Sequence, residues 1–139
     1  GSTEKRPLGI PTVTDRVVQA ATRMVIEPIF EHAFAAHSYG FRPGRCCHDA
    51  LRRVDDLLRQ GQLYVVDIDI KGYFDAISHG KLMSKVKERV ADGRILELIE
   101  SFLKAGVMEE METYETESGT PQGGVISPLL ANIFEEVVE

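Results

Sequence analysis

The sequence predicts an α+β fold, a small and mostly antiparallel sheet backed by helices. Three observations point there. Helical and strand-like segments come in an irregular mixed order, with no internal repeat and no Gly-, Pro- or Ser-rich linker to mark a second domain. The β-branched run LYVVDIDI (63–70) reads as a strand set between helical stretches. The 139 residues, 43% of them hydrophobic, suffice for one core, so a single domain over 1–139 is expected.

Each element has its own signal. After the turn-like RPLGIP, Thr14 caps a helix beginning at Asp15, in which Val17, Val18, Ala21, Met24, Val25 and Ile29 recur at helical spacing. Pro28 should kink that helix or end its first part, because proline lacks the main-chain donor. SYGFRPGR (38–45) is a loop by composition. In HDALRRVDDLLRQG, Leu51, Val54, Leu57 and Leu58 form one apolar stripe opposite charged residues, and Gly61 closes the helix. The strand at 63–70 follows, then helices over 78–90 and 92–104, the second stopped by Gly106. Residues 107–118 read as a polar hairpin. Ser127 as N-cap, with Pro128 in the first turn, opens a last helix, LLANIFEEVV.

Bulk properties narrow the class. Net charge is −6, unevenly spread: residues 1–61 hold nine Lys and Arg against seven Asp and Glu, net +2, and residues 62–139 hold seven against fifteen, net −8. The acidity is concentrated in EEMETYETE (109–117) and the closing EEVVE, so a polyanionic partner is not excluded. Cys46 and Cys47 are adjacent and lack the spaced partners of a zinc site or a disulfide framework, which predicts reduced thiols. No apolar run approaches the roughly 18 residues of a membrane span, so a soluble cytoplasmic protein without membrane contact is expected. The opening Gly1-Ser2 reads as a remnant of tag removal, and a longer native chain is expected around it.

The chemistry centres on VVDIDIKGYFD (65–75). Alternation along a strand puts Val65, Asp67 and Asp69 on one face and Val66, Ile68 and Ile70 on the other, the core face. Carboxylates where a strand runs out into Lys71-Gly72 suit Mg²⁺, which takes one or two carboxylates and fills its octahedron with water and substrate phosphates. Two ions held so can activate an attacking hydroxyl and neutralise a leaving oxygen. An acidic pair that is only solvated or salt-bridged is the competing reading. Downstream, GTPQGGVISPLLAN (119–132) places three glycines, two prolines and a glutamine ahead of a capped helix, where backbone can approach a flat or charged ligand closely.

Taken together, RPLGIPTVTDRVVQ, SYGFRPGRCCHDAL, DIDIKGYFDAISH and GTPQGGVISPLLANIF resemble, in order, the successive blocks of reverse transcriptases encoded by group II introns and their retron-type relatives. The resemblance covers nearly the whole chain and implies the fingers and part of the palm of a right-hand polymerase. It implies RNA-directed DNA synthesis on an RNA template and primer from deoxynucleoside triphosphates, with two Mg²⁺ ions, and intron RNA as a further partner. It makes Asp69 the first catalytic aspartate and metal ligand, with the Ile70 carbonyl as another ligand and Asp67 peripheral. Phe74 falls at the aromatic steric gate that excludes a 2′-hydroxyl, beside Tyr73 at the nucleotide; a core phenylalanine is the alternative. Gln122 matches a glutamine at the incoming nucleotide, and Arg6 a fingers arginine on the triphosphate. Arg42 and Arg45 are either template-backbone contacts or solubilising surface. The four histidines show no ligand spacing.

The family's aromatic-x-Asp-Asp tetrad, which supplies the remaining metal carboxylates, does not occur in this sequence, nor do thumb, maturase or endonuclease segments. The 139 residues alone are therefore expected to be inactive, and an apolar palm surface bared in this way would suit a homodimer. Two rivals stand beside the polymerase: an RNA-binding maturase scaffold that aids splicing, and, further behind, a palm-type nucleotide cyclase, whose Gly-Gly-acidic-acidic-Phe hairpin is absent.

Overall fold

In a computed structural model of the chain, the described residues are 10–70, 72–105, 107–109, 112–114 and 123–135. In chain order the elements are α1 (Val13–Glu31), α2 (Cys47–Arg59), α3 (Tyr73–Ala76), α4 (His79–Arg89), α5 (Gly93–Lys104), β1 (Val107–Glu109), β2 (Glu112–Tyr114) and α6 (Ser127–Glu135).

Among the described residues the architecture is helical, and the predicted α+β arrangement of a sheet backed by helices is not formed. Residues 62–70 run without a ladder and are exposed throughout. Val66, Ile68 and Ile70, expected to face the core, lie in solvent, Ile68 at 79% exposure. The physical reason is that alternation describes what a strand does once a neighbour takes up its main-chain hydrogen bonds, and no described residue pairs with 63–70. β1 and β2 do pair antiparallel, with Val107 opposite Tyr114, Met108 opposite Thr113 and Glu109 opposite Glu112. Three residues a side make a short ribbon, not the expected sheet.

The core is built by α4, α5 and α6 with one face of α1. Leu82 and Val86 of α4, Ile99 and Leu103 of α5, and Leu130 and Ile133 of α6 are fully buried together with Ile77 and Ile126. Each such side chain contributes roughly 1.5–3 kcal/mol through apolar burial. Main-chain geometry agrees with the expected ends: Asp92 caps α5 by accepting from the Arg94 N–H at 2.9 Å, and Pro128 falls in the first turn of α6.

α1 differs from expectation in its start and in its buried face. It starts at Val13, with Thr12 rather than Thr14 as the cap: the Thr12 hydroxyl oxygen accepts from the Asp15 N–H. It continues through Pro28 to Glu31. Met24 and Pro28 both lie on its exposed side, where water can satisfy the carbonyl that proline leaves without a donor. Its buried face carries Gln19, Thr22, Ile26 and Phe30, whereas Val17, Met24, Val25 and Ile29 of the expected stripe are exposed. Both faces of this helix are apolar enough to satisfy a 3.6-residue period, and the one that carries Phe30 is buried. Thr22 is accommodated because its hydroxyl donates to the Val18 carbonyl at 2.8 Å.

α2 has the predicted range and stripe, yet none of its residues is buried; Leu51, Val54 and Leu58 remain exposed. Gly61, at φ 92, follows its end. No helix among the described residues is long and apolar enough to cross a membrane.

Candidate functional site

α6 is the element at which the four motif blocks meet. From the first block, Gln19 of α1 is buried and its side-chain oxygen accepts from the main-chain N–H groups of Val125 at 2.9 Å and Ile126 at 3.4 Å. One carboxamide oxygen thereby satisfies two donors just ahead of the helix start. From the second block, the Gly40 carbonyl accepts from Asn132 Nδ2 of α6 at 2.9 Å. From the third, the Tyr73 hydroxyl donates to the Ala131 carbonyl of α6, also at 2.9 Å. Sequence reasoning missed Gln19 and Asn132 as joints. Their only signal was a polar residue in an otherwise apolar stretch.

The turn that carries the expected aromatic residues is set by glycine. Gly72 occupies the left-handed region at φ 64 and precedes α3, so the exposed run ending at Ile70 can turn directly into a helix. Tyr73 and Phe74 are both half-buried and pack against the core. Their rings meet edge to face with centroids 5.9 Å apart, and Tyr73 also lies 6.3 Å from the Phe134 ring of α6. Burial, helped by the negative charge of Glu135, pushes the Tyr73 hydroxyl up to about 12. That hydroxyl stays a donor.

Asp69 and Asp67 are exposed on the irregular run 62–70, and Ile70 is half-exposed beside them. Asp69 is therefore reachable by solvent ions. Two carboxylates are nevertheless not a two-ion site: among the described residues no group of three or more His, Cys, Asp or Glu side chains is placed to hold a metal. The donors described do not fit a pair of Mg²⁺ ions by themselves. Arg6 and Gln122 lie outside the described residues.

Arg42 is structural, and matches neither of the two readings given for it, template contact or solubilising surface. It is buried; its Nη2 lies 2.8 Å from Glu31 Oε1 and its Nε 3.1 Å away, while Nη1 donates to the carbonyls of Ala35 at 2.7 Å and Ser38 at 3.0 Å. The guanidinium also stands 5.2 Å from the Phe34 ring centroid. All of its capacity goes into closing the chain after α1. Arg45 does similar work at the surface, donating to the Ala36 and Ser38 carbonyls over the Tyr39 ring. Cys46 and Cys47 are free and exposed, and Asp49 accepts from the Cys46 N–H at 2.9 Å and from its thiol at 3.1 Å.

The comparisons with known proteins agree with the motif order. The family model described as reverse transcriptase (RNA-dependent DNA polymerase) matches residues 1–139. The chain is 47% identical over 133 residues to the group II intron-encoded protein LtrA of Lactococcus lactis subsp. cremoris, covering 96% of this chain and 22% of that protein. It is 45% identical over 133 residues to protein YkfC of Escherichia coli strain K12, covering 93% of this chain and 35% of that protein. With nuclear intron maturase 1, mitochondrial, of Arabidopsis thaliana it shares 36% identity over 94 residues, 68% of this chain and 13% of that protein. The chain thus spans about a fifth to a third of the length of LtrA and YkfC.

Proposed function

Because this chain belongs to the reverse transcriptase (RNA-dependent DNA polymerase) family, we propose that it forms the nucleotide-selecting part of an RNA-directed DNA polymerase of the group II intron type. The observation that carries the reading is the convergence of all four family blocks on α6, through Gln19, Gly40 and Tyr73. Motifs far apart in sequence are tied to one helix, which supports reading them as parts of one site.

In this reading Asp69 offers its carboxylate, and Ile70 its carbonyl, to Mg²⁺ in the intact protein, where further carboxylates complete the site. Phe74 faces the sugar with Tyr73 next to it, while Gln122 and Arg6 serve the incoming deoxynucleoside triphosphate. RNA template, primer and intron RNA are the macromolecular partners. Similarity to a protein named as an intron maturase supports a second role, holding intron RNA for splicing, which is compatible with the first.

Primer extension tests it. The intact protein, given an RNA template, a DNA primer, deoxynucleotides and Mg²⁺, is expected to lengthen the primer, and Asp69→Asn to abolish this while RNA binding persists. Undiminished extension by Asp69→Asn would remove Asp69 from the chemistry. An intact protein that binds intron RNA but never extends a primer would leave the maturase role alone standing.

A further inference from the structure

We propose that Tyr73 is a positioning residue for sugar selection, holding the Phe74 ring in place by tying the turn at 72–76 to α6. The inference rests on the reading of Phe74 as the residue facing the sugar. Three observations support it. The Tyr73 hydroxyl donates to the Ala131 main-chain carbonyl at 2.9 Å, so it is committed to the protein and not offered to a nucleotide. The Tyr73 ring meets Phe74 edge to face at 5.9 Å, so movement of one ring is felt by the other. The helix that accepts the hydrogen bond is itself fixed, by Gln19 at its start and by Asn132 to the Gly40 carbonyl.

Discrimination by an aromatic gate depends on how closely the ring approaches the sugar, because a 2′-hydroxyl is one heavy atom. Gly72, in the left-handed region, lets the chain make a sharp entry but does not itself restrain the residues after it. α3 is a single turn of four residues, too short to be rigid by its own hydrogen bonds. The restraint must come from tertiary contacts, and Tyr73 makes a hydrogen-bonded one, to Ala131. A loosened turn admits ring positions in which a ribose fits.

The test uses the intact polymerase and reads the ratio of kcat/KM for a deoxynucleotide to that for the matching ribonucleotide. Tyr73→Phe keeps the ring and loses the donor, and is expected to lower the ratio about fivefold, the population change that one hydrogen bond of ordinary net strength permits. Replacing Tyr73 by p-aminophenylalanine, which restores a donor, should return it. Phe74→Val should lower the ratio further, and the double variant Tyr73→Phe/Phe74→Val should match Phe74→Val alone, since a positioning residue has nothing left to position. If Phe74→Val leaves the ratio unchanged, the gate reading fails. If Phe74→Val lowers it but Tyr73→Phe does not, or the two effects simply add, the gate reading stands and the positioning role of Tyr73 is overturned.

Discussion

The Tyr73 hydroxyl and the Ala131 carbonyl lie 2.9 Å apart although 58 residues separate them in the chain. This bond joins the turn after the acidic run to the helix on which α1 and the 38–45 loop also converge. It gives the third and fourth motif blocks one mechanical frame, and it has a titratable end.

That end predicts a pH effect. Burial raises the Tyr73 hydroxyl to about 12 in the folded chain against 10.0 as its ordinary value. Below pH 10 both folded and unfolded chains keep the proton, so the contribution is fully present; between about 10 and 12 the unfolded chain loses its proton first and stability falls. Urea denaturation across this window should show a smaller loss for Tyr73→Phe than for the unsubstituted chain. Equal losses would mean that Tyr73 ionises as freely when folded as when unfolded.

Gln19→Leu removes the acceptor of two main-chain donors, one of them buried. It should destabilise the chain by about 1–3 kcal/mol in urea denaturation, the penalty for leaving a buried donor unmade. Gln19→Glu keeps acceptor oxygens at the start of α6, where the helix dipole favours negative charge, and should cost less than Gln19→Leu. The reverse order would show that shape, not hydrogen bonding, governs this joint.

Arg42→Lys is expected to be far from conservative. An ammonium cannot span the Glu31 carboxylate and the Ala35 and Ser38 carbonyls at once. Breaking a buried pair typically costs about 3–5 kcal/mol, and the lower end applies here because Glu31 keeps part of its solvent. Thermal denaturation should register a clear drop. A lysine variant as stable as the original would return Arg42 to the surface role.

The 139-residue chain by itself should give no templated extension. Its described donors do not assemble a two-ion site, and no aromatic-x-Asp-Asp tetrad occurs in its sequence. A primer-extension assay with purified chain checks this directly; templated product would show that Asp69 needs no further carboxylates.

Much of the helical framework was legible. α4, α5 and α6 fall within a residue or two of their expected starts because Ser78, Asp92 and the Ser127-Pro128 pair mark helix entries in the sequence itself. The burial of α1 was not legible, since Val17 and Met24 satisfy the same period as Ile26 and Phe30 and only packing chooses between them. The strand expected at 63–70 fails for a different reason: alternating residues state a preference, and a ladder needs a second participant. At the site, the motifs pointed to Asp69 and the aromatic pair, but each joint pairs one side chain, Gln19, Asn132 or Tyr73, with a main-chain group of a distant segment, and no side-chain pattern reveals that main-chain partner. Arg42 fitted neither the phosphate-contact nor the solubilising-surface reading, because a basic loop residue suggests both until its internal acceptors are seen.

Iron-mediated cleavage tests the central claim most directly. With Fe²⁺ substituting for Mg²⁺ in the intact protein bound to RNA template and DNA primer, and hydrogen peroxide and ascorbate added, the hydroxyl radicals formed as bound Fe²⁺ reduces peroxide should cut the polypeptide backbone next to Asp69, and Asp69→Asn should abolish that cut. Cleavage elsewhere only, or cleavage at this position that survives Asp69→Asn, would contradict the assignment of Asp69 to the metal.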